Sequence, residues 1–238
     1  MKVRTTGRPP SGNGASSFHL WWDPAPVSRA VEVTLTVEWE PPVERLCFFA
    51  LQASFSDGTR RTGGAHLGLQ WNPRYPRWRA VNWGGYHSGG SILEGTVSPL
   101  PSAPNDRNTR DYSWEPGEPY RLRIEPAGSG WWSGVVTGPD GVPIEVRRLA
   151  GGGDRLEAPV VWSEIFARCD DPSVGVRWSD PSMLVGDTWV KPERYRVNYQ
   201  AYDKGGCSNT TVLGTPAGVM QITSTERLVE QGAVVPVV

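Results

Sequence analysis

Val31, Val33, Leu35, Val37 and Trp39 alternate with Glu32, Thr34, Thr36 and Glu38. A period of two with one apolar and one polar set of side chains is the signature of a half-buried β-strand. The same short alternation recurs along the chain at Tyr120 to Ile124, Trp131 to Val136, Val142 to Arg148 and Val160 to Arg168. The intervening stretches are punctuated by the 28 glycines and 22 prolines of the 238-residue sequence. No stretch carries a convincing long helical period. About 11–13 such strands can bury their apolar faces only by packing two antiparallel sheets together. The expected fold class is therefore all-β, a two-sheet antiparallel jelly-roll sandwich with at most short helical turns.

Arg45 to Phe55 is apolar on both faces, which predicts a strand in the middle of a sheet. Phe18 to Trp22 is followed by Asp-Pro-Ala-Pro and reads as an edge strand, where proline is tolerated. Residues 1–17 are small, polar and rich in Gly and Pro, and are expected as a flexible arm. Residues 18–224 are expected as one β-sandwich domain. Residues 225–238 form a C-terminal tail, with one helical turn expected at Thr225 to Gly232 from its capping threonine and closing glycine.

His66 to Tyr86, HLGLQWNPRYPRWRAVNWGGY, reads as a hairpin. With Trp71 opposite Arg77, the residues His66, Gly68, Gln70, Trp78, Ala80 and Asn82 share one face. Leu67, Leu69, Val81 and Trp83 share the other, with Arg79 an exception. The first set suggests a hollow floored by Gly68 and Ala80 and walled by amides, an imidazole and an indole. Such groups suit a glycan or another polar small ligand, because hydroxyls pair with amides and the C–H face of a sugar stacks on a ring. The alternative for this face is an outward sheet surface that simply tolerates polar side chains. The 12 tryptophans serve either a core or a ring-lined surface.

Trp162, Glu164 and Phe166 share one face of their strand. A carboxylate among aromatic neighbours can have a raised pKa and work as an acid or base. Trp162 and Glu164 therefore join His66, Gln70, Trp78 and Asn82 as candidate ligand-binding residues, and Glu164 is the weak catalytic candidate. Glycoside hydrolysis normally needs a second placed carboxylate, and none is evident. The loop Asn105 to Asp111 offers oxygen ligands of the kind calcium takes, but two arginines interrupt it and a plain turn-rich loop fits as well. Asp170-Asp171 is read as a turn. No zinc spacing, phosphate loop or nucleophile elbow is present, and no metal is assigned. Cys47 is expected as a buried thiol. Cys169 and Cys207 are candidates for a disulfide, which would suit an oxidising compartment.

A net charge of −1, from 24 basic and 25 acidic residues, gives no electrostatic reason to expect nucleic acid. No apolar run approaches the roughly 20 residues of a membrane span. The N-terminus lacks the apolar stretch of a signal peptide. The chain is thus expected to be extracellular if it is a mature form with a new start methionine, and cytoplasmic otherwise.

Taken together, Val31 to Tyr86, Tyr120 to Ile124, the Trp131 hairpin with its Pro139-Asp140-Gly141 turn, and Trp162 to Phe166 with Cys169 resemble the concanavalin-like jelly-roll sandwiches of lectins and glucanases. They also resemble a family of bacterial secreted β-sandwich proteins. The resemblance implies a sandwich that associates with carbohydrate. It implies no catalytic residue, because the Glu-x-Asp-x-x-Glu spacing of the glucanases is absent. Three functions follow: a lectin-like glycan-binding protein, a glycan-active hydrolase or lyase using Glu164, or a structural protein whose exposed tryptophans meet another protein chain.

Overall fold

The computed structural model describes residues 2–238. Its two sheets are the expected antiparallel sandwich. The first runs in spatial order β16 (Val234–Pro236), β13 (Arg194–Tyr199), β1 (Ser16–Asp23), β10 (Arg155–Ile165), β3 (Cys47–Ser56), β4 (Arg61–Trp71), β5 (Arg79–His87) and β6 (Thr109–Asp111). The second runs β14 (Thr210–Thr215), β15 (Gly218–Thr223), β11 (Gly175–Val185), β2 (Ala30–Val37), β7 (Pro119–Pro126), β8 (Trp131–Thr137) and β9 (Pro143–Ala150). A short β12 (Thr188–Val190) pairs with β11. Among the described residues β6, β12 and β16 are only three residues long. The other thirteen strands reach the upper bound expected from the sequence.

The core lies between the sheets. The alternation in β2 buries Val31, Val33, Leu35 and Val37, and these face Leu20, Leu51, Leu67 and Val161 of the first sheet within one apolar cluster. Seven of the twelve tryptophans are buried, so most of them serve packing rather than a ring-lined surface. Trp39 and Trp189 are the exposed ones. Trp39 lies beyond the end of β2 and donates from Nε1 to the Ser173 carbonyl.

β3 sits between β10 and β4, as its two apolar faces predict. On its outward side Phe48 and Ala50 join Val160 and Trp162 in a second, smaller apolar cluster. That cluster is the reason this strand is apolar on both sides. β1 is not the expected edge strand: it lies between β13 and β10. Pro24 follows the last strand residue, so it takes no donor from the ladder.

The remaining differences lie at the ends of the chain. The arm residues are hydrogen-bonded to the body: Arg4 Nη1 donates to the carbonyls of Tyr202 and Gly206, and Gly7 N donates to Asp170 Oδ1. Thr225 to Gly232 forms no helical turn. Its backbone is claimed instead by the neighbouring strand, with Leu228 N donating to Thr211 Oγ1. The tail then adds β16 to the edge of the first sheet. Cys169 and Cys207 form a disulfide, and Cys47 is a buried free thiol.

Candidate functional site

The outward face of the first sheet carries a groove of about 580 Å³ across β1, β10, β3, β4 and β5. Strand register builds it row by row. Glu164 stands between Ser17 and Phe48. Trp162 stands between His19 and Ala50. Val160 stands between Trp21 and Gln52, and Gln52 lies beside His66. Tyr86 and His87 line the far end. A second cavity of about 670 Å³ shares Ser17 and His19 with the groove and continues towards Asn198 and Gln231. The two together form a cleft that crosses most of the sheet.

Trp162 is the base of the groove rather than a wall. The residue is only 6% exposed. It meets Phe48 edge-on at 4.9 Å between centroids and His66 at 5.7 Å. Its Nε1 donates to Gln52 Oε1 at 3.1 Å. That bond fixes the Gln52 amide and directs its NH₂ donors elsewhere. With its ring this covered, Trp162 offers little face on which a sugar could stack.

Glu164 is partly buried and stands beside the apolar Phe48 and Trp162. Asn13 Nδ2 donates to its Oε1 at 2.7 Å. Burial pushes its carboxyl above the ordinary glutamate range, and the bond from Asn13 partly opposes the shift. Burial lowers the pKa of His66 to about 4. It lowers His19 to about 4 as well, against a smaller opposing bond to the Asn198 backbone. Both imidazoles are therefore neutral at neutral pH. The groove thus joins one carboxylate that resists ionisation to several uncharged donors and acceptors. Glu164 is the lone carboxylate among its lining residues.

The candidate ligand-binding residues separate into two groups. His66, Trp162 and Glu164 come together in the groove. Gln70, Asn82 and Trp78 do not line it. The hairpin register differs from the expected one, because Trp71 lies opposite Arg79 rather than Arg77. The turn is longer by two residues, with Arg77 and Trp78 both at positive φ. A slip of two keeps every side chain on its expected face but removes Trp78 from the sheet. Trp78 instead packs edge-on against Trp71, 5.1 Å away. Gln70 and Asn82 face outward, yet both are buried. Gln70 Oε1 accepts from Asn72 Nδ2, and Asn82 Nδ2 donates to Thr109 Oγ1.

Arg79 is indeed the exception on the core face. It is buried, is paired with Glu40 and Glu115, and lies over the Trp114 ring. In the Asn105 to Asp111 loop, Asp106 Oδ1 accepts from the backbone N–H groups of Asn108 and Thr109, and Oδ2 faces Arg74. That carboxylate is committed to the turn. Among the described residues no group of three or more His, Cys, Asp or Glu side chains comes together to hold a metal ion. Asp170 pairs with Arg168 in the turn read from the sequence.

Sequence reasoning missed His19, Gln52 and Asn13. A signal existed for two of them. His19 falls between the core residues Phe18 and Leu20, so alternation alone puts it outward. Gln52 is the one amide in a mostly apolar strand. Asn13 meets Glu164 across 151 positions of sequence, and no local pattern announces it.

No family model matches the chain, and no curated protein matches it in sequence. Several solved structures resemble the chain at low identity. Scytalido-glutamic peptidase with a peptide-based transition state analog has a TM-score of 0.49 at 10% identity, over 92% of this chain and 99% of that one. SCP-B, a member of the Eqolisin family of peptidases, has a TM-score of 0.47 at 9% identity, over 92% and 99%. Peanut lectin has a TM-score of 0.30 at 14% identity, over 70% and 74%. These are likenesses among all-β sandwiches, and none carries a residue's role to this chain. Among the described residues no helix is long and apolar enough to cross a membrane.

Proposed function

We propose that the protein is a hydrolase that holds an extended polar chain across the groove and cleaves an amide bond in it, with Glu164 transferring the proton. One observation carries this reading: Glu164, desolvated by Phe48 and Trp162, is the lone carboxylate lining the groove. Glycosidic cleavage normally uses two carboxylates on either side of the scissile bond. Amide hydrolysis needs one group that takes a proton from water and returns it. Ionised Glu164 accepts the proton as the water oxygen bonds to the carbonyl carbon. The same proton then passes to the leaving nitrogen as the C–N bond breaks. Uncharged donors such as the Gln52 amide and the neutral imidazoles suit the polar backbone of such a chain. The disulfide fits an extracellular setting, where such bonds persist.

Incubation with unfolded protein substrates across the acid to neutral range tests the reading. Cleavage is expected, with loss of about 10²–10⁴-fold in rate in Glu164→Gln, the usual worth of a positioned acid–base group. Undiminished cleavage in that variant, or none by the folded protein, would remove it.

A second reading is lectin-like glycan binding without chemistry. It is favoured by the exposed Tyr86 at the groove end, which is 51% accessible. Calorimetric titration with polysaccharides separates the two: binding weakened by Tyr86→Ala, with no cleavage of any polymer, supports the second.

A further inference from the structure

Residues 11–15 turn sharply beside the groove, and the turn decides which way the Asn13 amide faces. Ala15 N donates to Asn13 Oδ1 at 3.1 Å, while the Ser11 hydroxyl donates to the Ala15 carbonyl and helps close the turn. A backbone N–H can only donate, so the oxygen of the amide must face it. The NH₂ is left to meet Glu164 Oε1 at 2.7 Å. The segment that carries Asn13 is itself held down. Cys169 N donates to the Gly7 carbonyl, Ser208 N donates to the Arg4 carbonyl, and Asn209 Nδ2 donates to the Cys169 carbonyl. Cys169 and Cys207 are the disulfide pair, so the strap rests on the two loops that this bond joins.

We propose that Asn13 is a positioning residue for Glu164: the disulfide-anchored strap presents its NH₂ to the carboxylate, fixes one oxygen and favours the ionised form. The inference rests on the reading of Glu164 as the reactive group. A carboxylate in an apolar setting is poorly solvated, and one donor aimed at it replaces part of the lost water. Among the described residues the second oxygen takes no donor and is left for a water molecule or substrate. The other groups facing Glu164 are Ser17 and His19 on β1, Phe48 on β3 and Trp162 on β10. Arg61, His66 and His87 lie across the groove. Lys2, Lys204, Arg227 and Glu230 lie beyond Ser17 and His19. None of these side chains forms a hydrogen bond or ion pair with the Glu164 carboxylate, so among the described residues Asn13 is the one side-chain donor to remove.

The test is a carbon NMR titration of the Glu164 carboxyl in the whole, disulfide-bonded protein, assigned by its absence in Glu164→Gln. In Asn13→Ala the ionisation midpoint is expected to move to higher pH. Asn13→Asp keeps the oxygen that closes the turn but replaces the donor with an acidic group, so the midpoint is expected to move further the same way. This second variant guards against loss of the turn in the first. Midpoints unchanged or lowered in both folded variants overturn the proposal. The titration needs no substrate. A shifted midpoint without any hydrolysis would therefore remove the hydrolase reading and leave the Asn13–Glu164 pairing intact. Where cleavage is measured, the acid limb of kcat is expected to follow the same shift with KM unchanged.

Discussion

The outward face of the first sheet has two ends, and they have been put to different uses. At one end Glu164, Gln52 and His66 line an open groove. At the other, Gln70 and Asn82 are closed over by the chain and bonded to Asn72 and Thr109. Both ends carry outward polar side chains at the same period of two, and His66 and Gln70 share β4. What differs is the covering. Asn72 in the turn and Thr109 on the edge strand β6 supply the partners at the second end, while the first end opens as the groove beside the Asn13 strap. A polar side chain buried against a protein partner, as Gln70 and Asn82 are, is structural. One left facing solvent, with its charge disfavoured by apolar neighbours, is available for chemistry.

This contrast can be broken experimentally. The largest effect is expected at the open end, where Glu164→Gln should lower the cleavage rate by about 10²–10⁴-fold while leaving the melting temperature close to that of the parent. A large drop in thermal stability instead would make Glu164 structural and erase the distinction. Next is the strap. Removing the bond between Cys169 and Cys207, which are 38 residues apart, is expected to cost about 2–5 kcal/mol in denaturant unfolding. Gly68→Ala comes third. A Cβ there would run into the Phe49 carbonyl oxygen of the adjacent strand, and such overpacking typically costs about 1–3 kcal/mol. At the closed end, Asn82→Ala loses the bond to Thr109 and should cost about 0.5–1.5 kcal/mol, with cleavage per folded molecule unchanged.

A further prediction concerns the neutral imidazoles. His66 ionises near 6.5 when unfolded and at about 4 in the fold. The unfolded chain therefore binds the proton more readily, and stability falls as pH drops from about 6.5 to about 4, with no further loss from this group below that. His66→Gln should flatten that part of the curve of melting temperature against pH. An unchanged curve would mean that the imidazole is solvated in the groove.

Much of the sandwich was legible because strand alternation is local. β2 could be read residue by residue, and the two apolar faces of β3 placed it centrally. The hairpin faces were legible too, since a turn longer by two residues shifts the pairing without exchanging the sides. The turn conformation itself was not, because nothing local marks Arg77 and Trp78 for positive φ, so Trp78 could not be placed. β1 was misread as an edge because the prolines after it looked like a boundary in space, when they are only a boundary in sequence.

Sequence by itself determined the main strands, the outward side of Glu164 and His66, and Trp162 as a neighbour of Glu164. Those follow from the period of the backbone and from the preference of apolar surface to leave water. Tertiary structure alone decided which outward polar groups stay open and which are sealed, and that Asn13 meets Glu164. The reason is that covering a face depends on where distant segments cross it. The strap and the disulfide loops are brought together by the fold, and no residue in the Glu164 strand encodes their arrival.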